Sequence, residues 1–144
     1  MATNGPLILV DDDPEDRELL LLALKELKYS NTVRMFQNGR EALFYLMDTR
    51  ERPLLILSDI NMPLMDGLEL RRKVNESHLL HRKSIPFIFF TTSALPEQVI
   101  RAYDLMVQGY FVKPDRFDEL VRLLGNLLNY WLDCLHPNSE VVAG

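Results

Sequence analysis

Residues Leu54 to Gly67 read L-L-I-L-S-D-I-N-M-P-L-M-D-G, and this stretch decides the fold. Its apolar run, Leu54 to Leu57, is short and continuous between Pro53 and Ser58-Asp59, the pattern of a strand buried on both faces. Asp59 therefore marks the end of a central strand. Asn61, Pro63, Asp66 and Gly67 are turn formers that stop the strand and keep the carboxylate at an open sheet edge. In open α/β sheets that edge is where ligands bind.

Working outward, Pro6 to Val10 is a first buried strand, followed at once by Asp11, Asp12 and Asp13. Asp13 before Pro14 has a structural explanation, an N-cap with proline at the first helical position. Asp11 and Asp12 are different. Like charges at a strand end repel and push at least one carboxylate toward protonation unless a cation is bound, and a divalent metal is the natural remedy. A helix is expected over Pro14 to Lys28, a weaker strand over Thr32 to Phe36, and a second helix opened by the Asn38-Gly39 turn. A third helix follows Gly67 and gives way to a polar stretch, Asn75 to Ser84, that is long for a connector. Pro86 to Phe90 is a fourth buried strand ending in Thr91-Thr92-Ser93. A helix from Pro96 to about Val107, a fifth strand Tyr110 to Val112 ending in Lys113-Pro114, and a last helix capped by Asp115 and reaching about Leu135 complete the chain. Five strands alternating with five helices imply an α/β fold with a doubly wound parallel sheet in the flavodoxin-like order 2-1-3-4-5. In that order Asp11, Asp12 and Asp59 share one crevice, with Thr91 and Lys113 leaving the neighbouring strands toward it.

Composition narrows the function. The 144 residues, 47% hydrophobic and 26% charged, suit one domain, and a formal net charge of -5 argues against direct binding of nucleic acid. The basic trio Arg71-Arg72-Lys73 reads as a solvated helix face. No apolar stretch approaches a membrane span and Met1 to Gly5 lacks the features of a signal peptide, so a cytoplasmic protein is expected. Cys134 is the single cysteine, which excludes an intramolecular disulfide and a zinc site built on thiolates. His78, His81 and His136 read as surface residues.

Four motifs in order carry a resemblance: V-D-D at Val10 to Asp12, S-D-I-N-M-P-L-M-D-G at Ser58 to Gly67, F-F-T-T-S at Phe89 to Ser93, and G-Y-F-V-K-P at Gly109 to Pro114. Together they resemble the receiver domains of two-component response regulators, the CheY-like family. The likeness covers residues 6–135 and leaves 136–144 as a flexible tail. The longer stretch before Ile85 and Thr91-Thr92-Ser93 also look like the single-domain regulators that accompany bacterial phytochrome kinases. The resemblance implies Asp59 as phosphoacceptor, Asp11 and Asp12 holding Mg²⁺ with the backbone carbonyl of Asn61 completing the site, Thr91 as switch hydroxyl, Lys113 pairing with the phosphoryl group, and Tyr110 as a mobile switch aromatic. It also implies a cis bond between Lys113 and Pro114. Three of these positions have a plainer explanation beside them: a β-branched strand end at Thr91, a strand aromatic at Tyr110, a strand stop at Pro114. Asp115 departs from the family, where that position is often apolar.

The chemistry agrees with these roles. Phosphoryl transfer needs an in-line nucleophile and cations to offset charge on the equatorial oxygens. Asp59 would supply the nucleophile, giving an acyl phosphate. Mg²⁺ takes octahedral oxygen ligands and keeps several waters, which suits direct ligation by Asp12 and Asp59 and ligation by Asp11 through water. Lys113 is a point cation on a flexible stem, and Thr91 can donate a hydrogen bond. The function expected is a signalling switch, not an enzyme in the metabolic sense, phosphorylated by a sensor histidine kinase or a phosphotransfer protein and read by an unidentified downstream protein. Few residues follow the receiver, so output through protein contacts is expected. A flavodoxin-like electron carrier on the same fold is the alternative, but three aspartates after the first strand would repel a flavin phosphate. A hydrolase using an aspartyl phosphate would want a second carboxylate two residues after Asp59, where the chain has Asn61. Finally, Leu120 to Leu135 spreads its apolar residues over an arc of roughly 200°, wider than the stripe of about 100° that a helix needs to cover its own sheet. A homodimer is therefore expected, with Leu128, Trp131, Leu132 and Leu135 at the contact.

Overall fold

The computed structural model describes residues 4–137. Strands β1 (Leu7–Val10), β2 (Val33–Phe36), β3 (Leu55–Ser58), β4 (Phe87–Thr91) and β5 (Gly109–Val112) form one sheet in the order β2-β1-β3-β4-β5, with every neighbouring pair parallel. The three central strands are buried along their whole length, which is why they read as unbroken apolar runs. Among the described residues six helices cover the faces: α1 (Pro14–Glu26), α2 (Gly39–Asp48), α3 (Gly67–Glu76), α4 (His78–Lys83), α5 (Pro96–Asp104) and α6 (Phe117–Asp133). Because side chains alternate along a strand, the sheet feeds two cores. Ile8, Ile56, Phe87 and Phe89 pack with Ala42, Leu46, Leu70 and Ala102 on one side. Leu7, Leu9, Leu55 and Ile88 pack with Leu20, Leu24, Leu124 and Leu128 on the other.

Several expectations are corrected. Helix α4 is a sixth helix within the polar stretch 75–84. Ser77 caps it by accepting from the Leu80 amide at 3.2 Å, and Leu80 is buried. Of the two leucines in this polar run only Leu80 is buried, Leu79 being half exposed, and such a signal has no periodicity to read. Arg71 is buried rather than solvated, donating to the Leu105 and Met106 carbonyls. The N-cap position of α6 belongs to Arg116, which makes no capping bond through its side chain, so Asp115 does not cap the helix. His78 and His81 are exposed as expected, whereas His136 is buried, its Nε2 lying 2.6 Å from the Leu54 carbonyl. The flexible tail expected from residue 136 thus begins with an anchored residue; residues 138–144 lie outside the described residues. No helix among the described residues is long and apolar enough to cross a membrane.

Candidate functional site

Register builds the site. Val10 pairs with Ser58 across β1 and β3, so the next residues, Asp11 and Asp59, leave adjacent strands side by side. The ladder continues one step further, with the Asp59 amide donating to the Val10 carbonyl at 2.8 Å. Thr91 pairs with Val112, and the Lys113 amide donates to the Thr91 carbonyl at 2.8 Å, which sends Lys113 toward the same edge. Gly67 closes the turn after Asp59. Its amide donates to the Ile60 carbonyl at 2.8 Å, and a Cβ there would collide with the carbonyl oxygen of Asp59. Asp66 caps α3 through the Glu69 amide, and the Met65 carbonyl accepts from the Gly39 amide at 3.1 Å, so the loop after Asp59 is tied at its far end.

The carboxylates are buried unequally. Asp11 and Asp59 are buried and Asp12 is exposed. One oxygen from each lies within 4.8 Å of the others. These are hard donors on a partly open site, the set that suits a divalent cation. Asp11 Oδ1 accepts from the Asp13 amide at 3.0 Å, and Asp59 Oδ1 from the Ile60 amide at 2.7 Å. Their Oδ2 atoms meet Lys113 Nζ, at 2.6 Å from Asp11 and 3.0 Å from Asp59. Burial raises the Asp11 carboxyl above the ordinary aspartate value, with the Lys113 ammonium pulling the other way. Burial likewise opposes the ammonium, but the hydrogen bonds it donates to Asp11, Asp16 and Asp59 outweigh it and hold the Lys113 pKa above the usual lysine value.

Asp16 was not among the expected site residues. Its Oδ2 lies 2.7 Å from Lys113 Nζ, from the first turn of α1. The next residue, Arg17, donates to the Asp11 carbonyl at 2.6 Å and ties that turn to the end of β1. Sequence offers a ready disguise for Asp16, since an acid in the first helical turn is expected for the helix dipole alone.

Thr91 is fully buried, and its hydroxyl has no hydrogen-bond partner among the described residues. Tyr110 donates through its hydroxyl to the Ser93 carbonyl at 2.6 Å, and its ring stands edge-on to Phe89 at 6.1 Å. Burial raises the Tyr110 pKa, with the charge of Asp59 adding to it. Asn61 is exposed beside these groups. All peptide bonds among the described residues are trans, including Lys113-Pro114, so the expected cis bond is corrected. The register of β5 aims the lysine without it.

The expected contact residues on α6 divide. Leu128 is buried in the core between the sheet and α1, so its surface is spent within the fold. Trp131 and Leu132 are half-buried against that core, and Leu135 is exposed, as is Tyr130.

The sequence profile of the response regulator receiver domain matches residues 7–125. The probable methanogenesis regulatory protein FilR2 of Methanothrix harundinacea is 30% identical, covering 88% of this chain and 83% of that protein. The response regulator Rcp1 of Synechocystis sp. is 30% identical over 91% of this chain and 92% of its own length. Among solved structures, the phosphorylated cyanobacterial phytochrome response regulator RcpA superposes with a TM-score of 0.83 at 29% identity, over 92% of this chain and 98% of that one. The Mn²⁺-bound form of Rcp1 gives 0.79 at 28% identity, over 91% and 96%. Nothing comparable supports the flavodoxin alternative. The chain belongs to the response regulator receiver domain family, whose members are signalling switches of two-component systems.

Proposed function

We propose that this chain is a single-domain response regulator in which Asp59 accepts a phosphoryl group from a sensor histidine kinase or a phosphotransfer protein. The observation that carries this reading is Asp59 Oδ2, at an open sheet edge, 3.0 Å from a buried ammonium and one strand away from a buried hydroxyl with no partner. Asp59 Oδ2 attacks phosphorus, an O–P bond forms and the P–N bond to the donor histidine breaks, returning the electron pair to the imidazole. Asp11, Asp12 and Asp59 with the Asn61 carbonyl would hold Mg²⁺, which would supply positive charge against that of the transferring group. Lys113 takes a phosphoryl oxygen. An unpaired buried hydroxyl costs about 1–3 kcal/mol, and a phosphoryl oxygen on Asp59 would give Thr91 the acceptor it lacks. Tyr110 reports that change to the surface by leaving or keeping its bond to Ser93.

The likeness to regulators of phytochrome systems favours a phytochrome-type kinase in the cytoplasm as donor. Output is a protein contact, including a homodimer through Tyr130, Trp131, Leu132 and Leu135 on and beyond α6. Acetyl phosphate with Mg²⁺ should add one phosphoryl mass to the wild type and none to Asp59→Asn; labelling that survives in the variant would reassign the nucleophile. Phosphotransfer profiling against the histidine kinases of the source organism identifies the donor. For the dimer, sedimentation equilibrium should show Leu135→Glu/Tyr130→Glu shifted to monomer, and a monomeric wild type at micromolar concentration would end that part of the reading.

A further inference from the structure

Three carboxylates share the Lys113 ammonium, and they are not equivalent. Asp11 and Asp59 each give one oxygen to a backbone amide and offer the other, Oδ2, to the crevice. Those two Oδ2 atoms are the ones that Lys113 holds. A divalent cation held by Asp11, Asp12 and Asp59, or a phosphoryl group on Asp59, would draw on the same carboxylates that Lys113 bonds. Ammonium and ligands therefore compete for them. Asp16 stands apart from this competition, because it lies outside the trio whose oxygens approach one another. Its side chain is 28% exposed, against 3% for Asp11 and 10% for Asp59, so it sits at the rim rather than the floor. It is also well fixed, in a helical turn capped by Asp13 and clamped to β1 by Arg17.

We propose that Asp16 is a positioning residue for Lys113, keeping the ammonium at the rim of the site when a cation claims the free oxygens of Asp11 and Asp59, so that the lysine is at hand for a phosphoryl group on Asp59. This rests on the phosphoacceptor reading of Asp59. Without Asp16 the lysine, deprived of Asp11 and Asp59, loses the last of the three carboxylates that hold it among the described residues. Each ligand that carries a phosphoryl-like charge must then recruit it back, and the ordering of a long side chain is lost from the binding free energy. Simple charge effects predict the reverse sign. Removing a nearby negative charge should strengthen binding of an anion.

Beryllofluoride, a phosphoryl mimic, separates the two. Its affinity is measured by calorimetry at saturating Mg²⁺ for the wild type, Asp16→Asn, Lys113→Met and the double variant. The expected result is that Asp16→Asn weakens beryllofluoride about tenfold when Lys113 is present, and leaves it unchanged or tighter in the Lys113→Met background, a coupling of ordinary size for groups in contact. Equal factors in both backgrounds, or tighter binding by Asp16→Asn in the presence of Lys113, overturn the inference and leave the phosphoacceptor reading standing. A wild type that takes up no beryllofluoride overturns both. Should Lys113→Met not fold, the ¹⁵N resonance of the Lys113 ammonium decides alone. In saturating Mg²⁺ it should persist, protected from exchange, in the wild type and vanish in Asp16→Asn; loss in both proteins overturns the proposal.

Discussion

Two cations, Lys113 partly buried and Arg71 buried, lie at opposite edges of one sheet, and they are satisfied in opposite ways. At the carboxyl edge Lys113 meets three carboxylates within 3.0 Å. Toward the amino edge Arg71 meets none among the described residues: it donates to the Leu105 carbonyl at 2.9 Å and the Met106 carbonyl at 2.8 Å, and lies 5.3 Å from the centre of the Phe87 ring. The titration behaviour follows the partners. Carboxylates hold the lysine above its usual pKa, whereas burial with no countercharge lowers Arg71 to about 10, still charged at neutral pH. A carboxylate accepts whichever cation comes, so the Lys113 contacts are exchangeable for a metal. Carbonyl dipoles and an aromatic face fit one guanidinium and keep it. Arg71 also braces a turn in which Met106 adopts a φ of 64°, a left-handed conformation that costs a bulky residue about 1–2 kcal/mol. On the proposed function, one edge changes partners and the other stays as it is.

The largest expected effect tests that contrast directly. Lys113→Met and Arg71→Met should each lose about 2–4 kcal/mol in urea unfolding without metal, through unpaired carboxylates in the first case and orphaned carbonyls in the second. Mg²⁺ should restore most of the loss in Lys113→Met by supplying the missing charge, and none of it in Arg71→Met. Equal recovery, or recovery in neither, breaks the comparison. A smaller effect separates neighbours within the switching edge. Asp12→Ala should lower Mg²⁺ affinity in calorimetry at little cost in metal-free stability. Asp13 accepts from the Glu15 amide at 2.9 Å as the cap of α1. Asp13→Ala should therefore cost about 1 kcal/mol and leave Mg²⁺ affinity near wild type. A comparable loss of metal affinity in both would merge site and cap.

Legibility followed the same division. The switching edge could be read because each of its groups ends a strand: Asp11 after L-I-L-V, Asp59 after L-I-L-S, Thr91 at the end of F-I-F-F-T, Lys113 after Y-F-V. A buried run announces its own end, and parallel topology carries all such ends to one place. Asp16 was hidden because its partner is 97 residues away and its local position already had an explanation. Arg71 was hidden by Arg72 and Lys73, which make an ordinary charged face of the same helix, with Arg72 paired to Glu76. Whether a helical residue faces the core depends on the phase of the helix against its neighbours, and α3 carries Leu68, Leu70, Arg71 and Val74 inward together. The width of the α6 stripe was legible, but its use was not. Leu127 and Leu128 fill the space against the sheet and α1, so the surplus apolar surface falls at Tyr130 and Leu135.

His136 gives the finest test of the quiet edge, because it is a titratable group where nothing should be exchanged. Its ring is 1% exposed, with Nε2 at 2.6 Å from the Leu54 carbonyl just before β3. A carbonyl only accepts, so Nε2 carries the hydrogen, and protonation on acidification falls on Nδ1. Burial lowers the pKa below the ordinary histidine value, although the bond to Leu54 works the other way. The unfolded chain therefore binds the proton more readily than the folded one. Stability is full above the unfolded value, about 6.5, and falls as pH drops below it toward the folded pKa. His136→Gln lacks this titration. The stability difference between wild type and variant, from urea unfolding at steps between about pH 7.5 and pH 5.5, should shrink toward the acid end by a fraction of the roughly 1.4 kcal/mol that one pKa unit represents. It should do so equally with and without Mg²⁺. A difference that is flat in pH would place the ring in solvent, and one that responds to Mg²⁺ would mean that the two edges of the sheet are coupled after all.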